Sequence, residues 1–484
     1  MAAVHCHRSR GRQHGVEIGQ PSACPARFGV AGFHEAACEP RVVGDTTARA
    51  SRRLQWISAA SAVSADRAVQ TPLPEYLSHR HGDTSFCDIA SFQADDAAAL
   101  KDPTWSLQPF VIRKDPRILE RQPALTREAL LRAAEETGAT VRVGYSWSIA
   151  QNRGEGPREM PLTDYLQSEM DQGIYDDAEF LEPSYAFDMG LKLAGMPDSE
   201  DIHPVIRSWN ESAFSVPDTA VTVHMIGGAR SAVGWHTHGA TVQMTVHGRK
   251  RWFLYPPGHY PPGDGPGGGF SLTDWLQLVY PTLEPAERPL EFTLEAGDSA
   301  YIPDGWYHAV VNLEDSVAVS IQSKELAPEP QQFFKGVSLG VVSEVWQEQP
   351  GSVEELATAA RAFLSRGAQN DLHARRVLFY CLTEMDPKEA VEVILEGTRK
   401  DPFHVPTQFE LASWLASRIK AGEAAALDTF RRVMHLWEPN LVANTRNQKA
   451  LWILNKFHRA LGDEETADRY FDRLVKLNKL GIDR

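Results

Sequence analysis

Three histidines constrain the fold of this chain more than any other feature. His236 and His238 lie one residue apart in Trp235-His236-Thr237-His238, and His308 closes the later run Tyr301-Ile302-Pro303-Asp304-Gly305-Trp306-Tyr307-His308. Side chains alternate across a strand, so positions 236 and 238 share a face wherever the segment is extended. A third imidazole returning on a neighbouring strand completes a set that converges on one transition metal. The surroundings support this reading: Gly297-Asp298 marks a tight turn, Ala300-Tyr301-Ile302 a short apolar strand, and Pro303-Asp304-Gly305 a turn that delivers His308 onto the next strand. His79, His203, His224, His247, His259, His373, His404, His435 and His458 lack such surroundings and read as ordinary surface or core residues. His238 either ligates, giving a three-histidine site of the kind that zinc, iron or nickel accept, or lines the pocket.

Near these residues the chain alternates short strands with turns. Val221-Thr222-Val223-His224-Met225-Ile226-Gly227-Gly228 reads as the strand leading to the site, and Phe270 to Tyr280 as an inserted helix capped by Ser271. In Gly248-Arg249-Lys250-Arg251-Trp252-Phe253-Leu254-Tyr255-Pro256-Pro257 the alternation points Lys250 away from Arg249 and Arg251. Lys250 is then either an inward cation for a carboxylate ligand or one more basic residue on a solvated face. Asp264, in a glycine-rich loop, and Asp298 and Asp304, at turns, read as structural carboxylates that bond local backbone. Upstream, Gln108 to Ile112 and Thr140 to Val143 read as strands, and Arg127 to Glu136 as a helix capped by Thr126.

The segments Val246 to Pro257, Glu295 to His308 and Val311 to Ser320 resemble, in order, strands of the jumonji-C family of cupin-like oxygenases. The resemblance runs from about Thr84 to Ser323 and is sharpest from Val221 onward. It implies an α+β fold: a double-stranded β-helix, the cupin barrel, on a mixed α/β N-terminal platform. It also implies Fe(II) and 2-oxoglutarate as cofactors, with His236, His238 and His308 as metal ligands, Lys250 and Ser320 at the 2-oxoglutarate carboxylate, and Asn312 near the site. The family hydroxylates protein side chains or demethylates methyl-lysine. Its usual first motif is His-x-Asp or His-x-Glu, where this chain has His236-Thr237-His238. Replacing a carboxylate by a third neutral imidazole makes the ferrous centre a poorer electron donor to oxygen. The His-x-His-Gly variant is similar to the jumonji domain-containing protein eight branch, which implies an endoplasmic reticulum lumen address. The sequence supplies no clean secretory core to support that address and leaves the compartment open.

Composition bounds the remaining choices. A length of 484 residues fits two or three domains. The balance of 49 basic against 64 acidic residues, net -15, disfavours nucleic acid as a partner. No apolar run is long enough for a membrane span. The five cysteines form no Cys-x-x-Cys pair, hence neither a zinc site nor a disulfide scaffold is expected. Residues 1–75, rich in arginine and poor in acid, read as a disordered or targeting tail. Residues 84–325 read as the jumonji-C/cupin domain, and residues 345–484 as an all-α, helical-repeat-like domain, tetratricopeptide-like or an ordinary bundle. Its expected helices are Val353 to Ser365, Leu372 to Met385, Lys388 to Arg399, Pro406 to Ile419, Ala424 to Trp437, Asn447 to Leu461 and Glu464 to Leu477, with Glu438-Pro439 among the breaks. Such helices suit a protein substrate or protein partner, or a homodimer surface. The expected function is a 2-oxoglutarate-dependent dioxygenase acting on a protein side chain. The alternatives are a catalytically degenerate metal-binding protein acting as an interaction module and a three-histidine cupin with oxygen chemistry that needs no co-substrate.

Overall fold

A computed structural model describes residues 87–96, 99–144, 158–170, 183–191, 193–209, 220–257, 259–263, 270–323, 339–348, 350–365, 372–444 and 447–479. The expected tail 1–75 and Asp264 lie outside these residues. Thirteen strands are described: β1 (Ala90–Gln93), β2 (Phe110–Arg113), β3 (Thr140–Gly144), β4 (Arg158–Pro161), β5 (Tyr185–Asp188), β6 (Ala220–Gly227), β7 (Ala232–His236), β8 (Thr241–His247), β9 (Arg249–Tyr255), β10 (Leu290–Glu295), β11 (Ser299–Ile302), β12 (Tyr307–Asn312) and β13 (Ser316–Ser323). They form two sheets, of order β1-β2-β11-β8-β13-β6-β5-β3-β4 and β10-β9-β12-β7. From β6 onward the chain passes repeatedly between the sheets, and the result is a β-sandwich. The larger sheet is mixed, because β1 pairs parallel with β2 while its other pairs are antiparallel.

The central strands of each sheet are covered on both faces, and the alternation of residues shows how. On β8, Val242, Met244 and Val246 face outward into a core shared with Leu130 and Ala134 of the helix Arg127–Thr137. That helix is capped as its sequence predicts, Thr126 accepting from the Ala129 amide and Gly138 ending it in the left-handed conformation. On the smaller sheet, Trp235, Phe253, Tyr255, Tyr307, Ala309 and Val311 face outward, under Trp275 and Leu276 of the helix Leu272–Leu278. Ser271 caps this helix, accepting from the Asp274 amide. Between the sheets, Trp252, Leu254, Phe292 and Leu294 meet Val111, Ala300 and Ile302 at one end, and Tyr185, Val223 and Met225 meet Val233 elsewhere. The turn from β8 to β9 requires Gly248: its φ is +75°, and a Cβ there would lie 2.0 Å from the Asp315 carbonyl oxygen.

The C-terminal region is helical: Leu339–Glu348, Pro350–Ser365, Leu372–Met385, Pro387–Lys400, Val405–Lys420, Ala424–Ala443, Gln448–Leu461 and Glu464–Lys479. Its helices share one core that includes Phe379, Ile394, Leu411, Phe430, Trp437 and Leu454. One expectation is corrected here. The helix expected to end before Glu438-Pro439 runs through Pro439 to Ala443. Pro439 is exposed while Trp437 and Leu441, on either side, are buried, so packing on both flanks outweighs a helix defect worth about 3 kcal/mol. The helix Leu339–Glu348 was not expected at all.

Candidate metal centre

The three histidines come together. β12 pairs with β7 so that His308 is the register partner of His236. The route taken by His238 differs from the expected one: β7 ends at His236, and His238 lies in the following loop, not on the same strand face. It still converges, its ring centroid lying 5.3 Å from that of His236 and 4.6 Å from that of His308; His236 and His308 are 4.2 Å apart. One ligand atom from each of the three falls within 4.8 Å of the others.

Hydrogen bonding fixes which nitrogen each ring offers. Nδ1 donates to a nearby backbone carbonyl in every case: Gly234 from His236 at 2.8 Å, Gly239 from His238 at 2.8 Å and Trp306 from His308 at 2.9 Å. That leaves each Nε2 as a lone pair. The Nε2 atoms of His238 and His308 face each other at 3.1 Å, although neither has a proton left to share. Protonation is no remedy. Burial pushes all three rings below the usual imidazole range, His238 to about 3 with the His236 charge adding to the effect, and His308 well below, with both neighbours contributing. A metal ion would relieve the conflict by accepting the three Nε2 lone pairs. Trp252 buttresses the cluster, its ring stacked 5.8 Å from His308 on one side and 5.7 Å from Phe292 on the other.

Lys250 occupies the other end of the interior. Arg249 and Arg251 point outward and pair with Glu314 and Glu291, whereas Lys250 is completely buried. Its Nζ donates to Tyr185 Oη and to Asn312 Oδ1, both at 2.6 Å. Asn312 is held by Ser231, whose hydroxyl accepts from Nδ2 at 2.8 Å and donates to the Gly228 carbonyl at 2.7 Å. Both partners of the ammonium are neutral, and no carboxylate among the described residues contacts it. Burial alone therefore pushes it down to about 7. Lys250 and Asn312, both of which the resemblance puts near one site, are thus in direct contact. Ser320 is not joined to them: its hydroxyl bonds Thr241 at 2.8 Å and accepts from Gln322 at 3.4 Å.

Sequence reasoning missed Tyr185, Ser231, Gln243 and Thr245. Gln243 and Thr245 are the cross-strand partners of Ser320 and Ala318, on the face turned toward the other sheet. Both are buried, and Gln243 Nε2 and Thr245 Oγ1 find no hydrogen-bond partner. A signal was present in Thr241-Val242-Gln243-Met244-Thr245-Val246. Strict polar/apolar alternation normally places the polar face in water. Here the apolar face is covered by helices, and the polar face lines the interior. Asp298, by contrast, is structural as expected, accepting from the Lys114 and Glu295 amides and from Arg113.

Residues 185–322 match a family described as the cupin-like domain. Over 95 residues the chain is 45% identical to JmjC domain-containing protein 8 of Rattus norvegicus, covering 20% of this chain and 34% of that protein. It is 31% identical over 182 residues to Arginine-specific demethylase JMJ22 of Arabidopsis thaliana, covering 34% of each. Over 80 residues it is 40% identical to 2-oxoglutarate and iron-dependent oxygenase JMJD4 of Gallus gallus, covering 16% of this chain and 19% of that one. The chain therefore spans well under half the length of the curated relatives it matches.

Proposed function

We propose, from the premise that this chain carries a cupin-like JmjC domain, that it is an Fe(II)- and 2-oxoglutarate-dependent oxygenase acting on a protein side chain. The observation that carries the reading is Lys250, a buried ammonium with only neutral partners. A site built this way is completed by an anion. The unpartnered Gln243 Nε2 and Thr245 Oγ1 on the same interior suit a ligand rich in oxygen. His236, His238 and His308 would hold the iron through Nε2, a donor set that ferrous ion accepts. Lys250, Tyr185 and Asn312 would hold the far carboxylate of 2-oxoglutarate, and Ser320 with Thr241 would line the space between. When bound, iron and 2-oxoglutarate supply the oxidant for hydroxylating a carbon–hydrogen bond. The protein's own contribution is to fix the imidazoles, anchor the carboxylate and exclude water from the interior between the two sheets. Residues 84–220 belong on this reading to the same domain, as its N-terminal platform. The helices of 345–484 form a tetratricopeptide-like array that receives a protein partner or a second copy.

His238 favours a second reading. With a neutral imidazole in place of a carboxylate, the centre carries one negative charge fewer and reduces oxygen less readily. The chain would then be a metal-binding interaction module. Anaerobic titration with Fe(II) and 2-oxoglutarate, followed by succinate release in air, separates the two, with His308→Ala and Lys250→Ala as controls. Binding of both ligands with succinate release supports the oxygenase. Metal binding without 2-oxoglutarate binding refutes it.

A further inference from the structure

The loop that follows β9 forms part of the rim of the candidate metal centre. β9 ends beside it, Leu254 being the register partner of His308. Three contacts hold this loop. The Tyr260 ring lies 5.3 Å from that of Tyr307, the neighbour of His308. Trp275 Nε1 donates to the Pro262 carbonyl at 2.7 Å. The Gly263 amide donates to both carboxylate oxygens of Asp401, at 2.9 and 2.8 Å. Earlier in the same loop, Pro257 stands where a Cβ placed on Gly305 would meet its ring at 3.7 Å, and the Gly305 amide donates to the His238 carbonyl at 3.3 Å.

Asp401 belongs to the helical region, as the C-cap of the helix Pro387–Lys400. A helix alone does not favour aspartate there, since its C-terminus carries partial negative charge. What explains the residue is its donors: its carboxylate accepts from the Gly263 amide of the sandwich and from the Phe403 amide at 3.3 Å. The two regions are also closely packed at this point. Gly263 has φ +76°, and a Cβ there would lie 2.9 Å from Phe403 Cβ and 3.1 Å from Val279 Cγ2. Phe403 also sits 6.5 Å from the Phe270 ring, on the sandwich side.

We infer that Asp401 is a positioning residue for the metal centre: its carboxylate clasps residues 259–263, so that the helical region holds in place a loop at the rim of the site. The inference rests on reading the three histidines as metal ligands. Charge-assisted bonds to main-chain amides are among the stronger ones in proteins, so losing this pair should free the loop rather than unfold the chain.

The test uses the full-length protein and Co(II) as the probe. Asp401→Ala should speed amide hydrogen exchange at His259, Tyr260 and Gly263 by about tenfold or more and weaken Co(II) binding, followed by visible absorption, several-fold. Exchange in the distant helix Gln448–Leu461 should not change. Asp401→Asn, which keeps one acceptor oxygen, should recover most of the affinity. Gly263→Ala approaches the same contact from the loop side and should weaken Co(II) binding likewise. Asp386→Ala is the control: it removes another aspartate cap of the helical region, one that accepts from the Lys388 and Glu389 amides and does not touch the loop, and should leave Co(II) affinity intact. Unchanged loop exchange or unchanged Co(II) affinity in Asp401→Ala overturns the clasp while leaving the metal reading in place. Failure of the wild-type chain to bind Co(II) overturns both.

Discussion

Replacing Lys250 with Met changes the pH dependence of stability in a way that follows directly from the structure. The ammonium is lowered from 10.5 to about 7 by burial. At about 1.4 kcal/mol for each tenfold change in proton affinity, this amounts to about 5 kcal/mol against the folded state. The sign follows from the direction of the shift. Between about pH 7 and 10.5 the unfolded chain binds the proton and the folded chain does not, so this group makes stability rise with pH in that window. Below about pH 7 the full cost is present. Met removes the charge but strips Tyr185 Oη and Asn312 Oδ1 of their donor, at about 1–3 kcal/mol each. At pH 7 the two effects largely offset, and the substitution should be close to neutral. The slope discriminates: wild type should gain about 1.4 kcal/mol per pH unit relative to Lys250→Met between pH 7 and 10. Urea denaturation of the metal-free proteins at pH 7, 8, 9 and 10 measures this difference. Saturating 2-oxoglutarate should flatten the wild-type slope, because a bound anion restores the ammonium. Parallel curves for the two proteins would refute the buried, uncompensated cation, and with it the main support for an anionic co-substrate.

Other expected outcomes concern the ligands and the scaffold. Co(II) at one hundred times its Kd should stabilise the wild type by about 2.7 kcal/mol, and His308→Ala should lose that increment in a thermal melt; retention of it would remove His308 from the ligand set. His238→Asp should keep metal binding and raise succinate release, and an inactive variant would show that the third imidazole is not what limits turnover. Arg251→Ala leaves the buried Glu291 carboxylate without its ion pair and should cost about 3 kcal/mol; a loss below about 1 kcal/mol in chemical denaturation would count against that pairing. Pro439→Ala, at an exposed position inside the helix Ala424–Ala443, should stabilise the protein by about 1 kcal/mol or more, and a lower melting temperature would contradict the helix assignment there.

Much of the local structure is legible in the chain. Thr126 and Ser271 cap their helices where an oxygen is needed for orphan amides, and Leu372–Met385 begins and ends as its periodicity predicts. Alternation sets Lys250 on the face opposite Arg249 and Arg251, and the structure turns that face inward while the two arginines meet acidic partners. One local signal misled and another went unread. Pro439 is a helix breaker by its own chemistry, but the residues around it are held by core contacts distant in sequence. The polar stripe of Thr241, Gln243 and Thr245 carries the pattern of a solvated face. Which face meets water depends on what packs against the sheet, and that is not encoded in the strand.

Most of the elements, the candidate imidazoles and the separation of Lys250 from its arginine neighbours are legible in the chain, because side-chain alternation, capping chemistry and turn residues act over a few positions. Tertiary structure decided everything that depends on distance. It set His236 opposite His308 through the pairing of β7 with β12, and it brought His238 Nε2 to 3.1 Å from that of His308 through the loop that follows β7. It gave Lys250 its neutral partners from β5 and β12, and it joined Asp401 to Gly263, 138 residues away. Such contacts arise only when separate segments are packed together, and no short-range pattern specifies them.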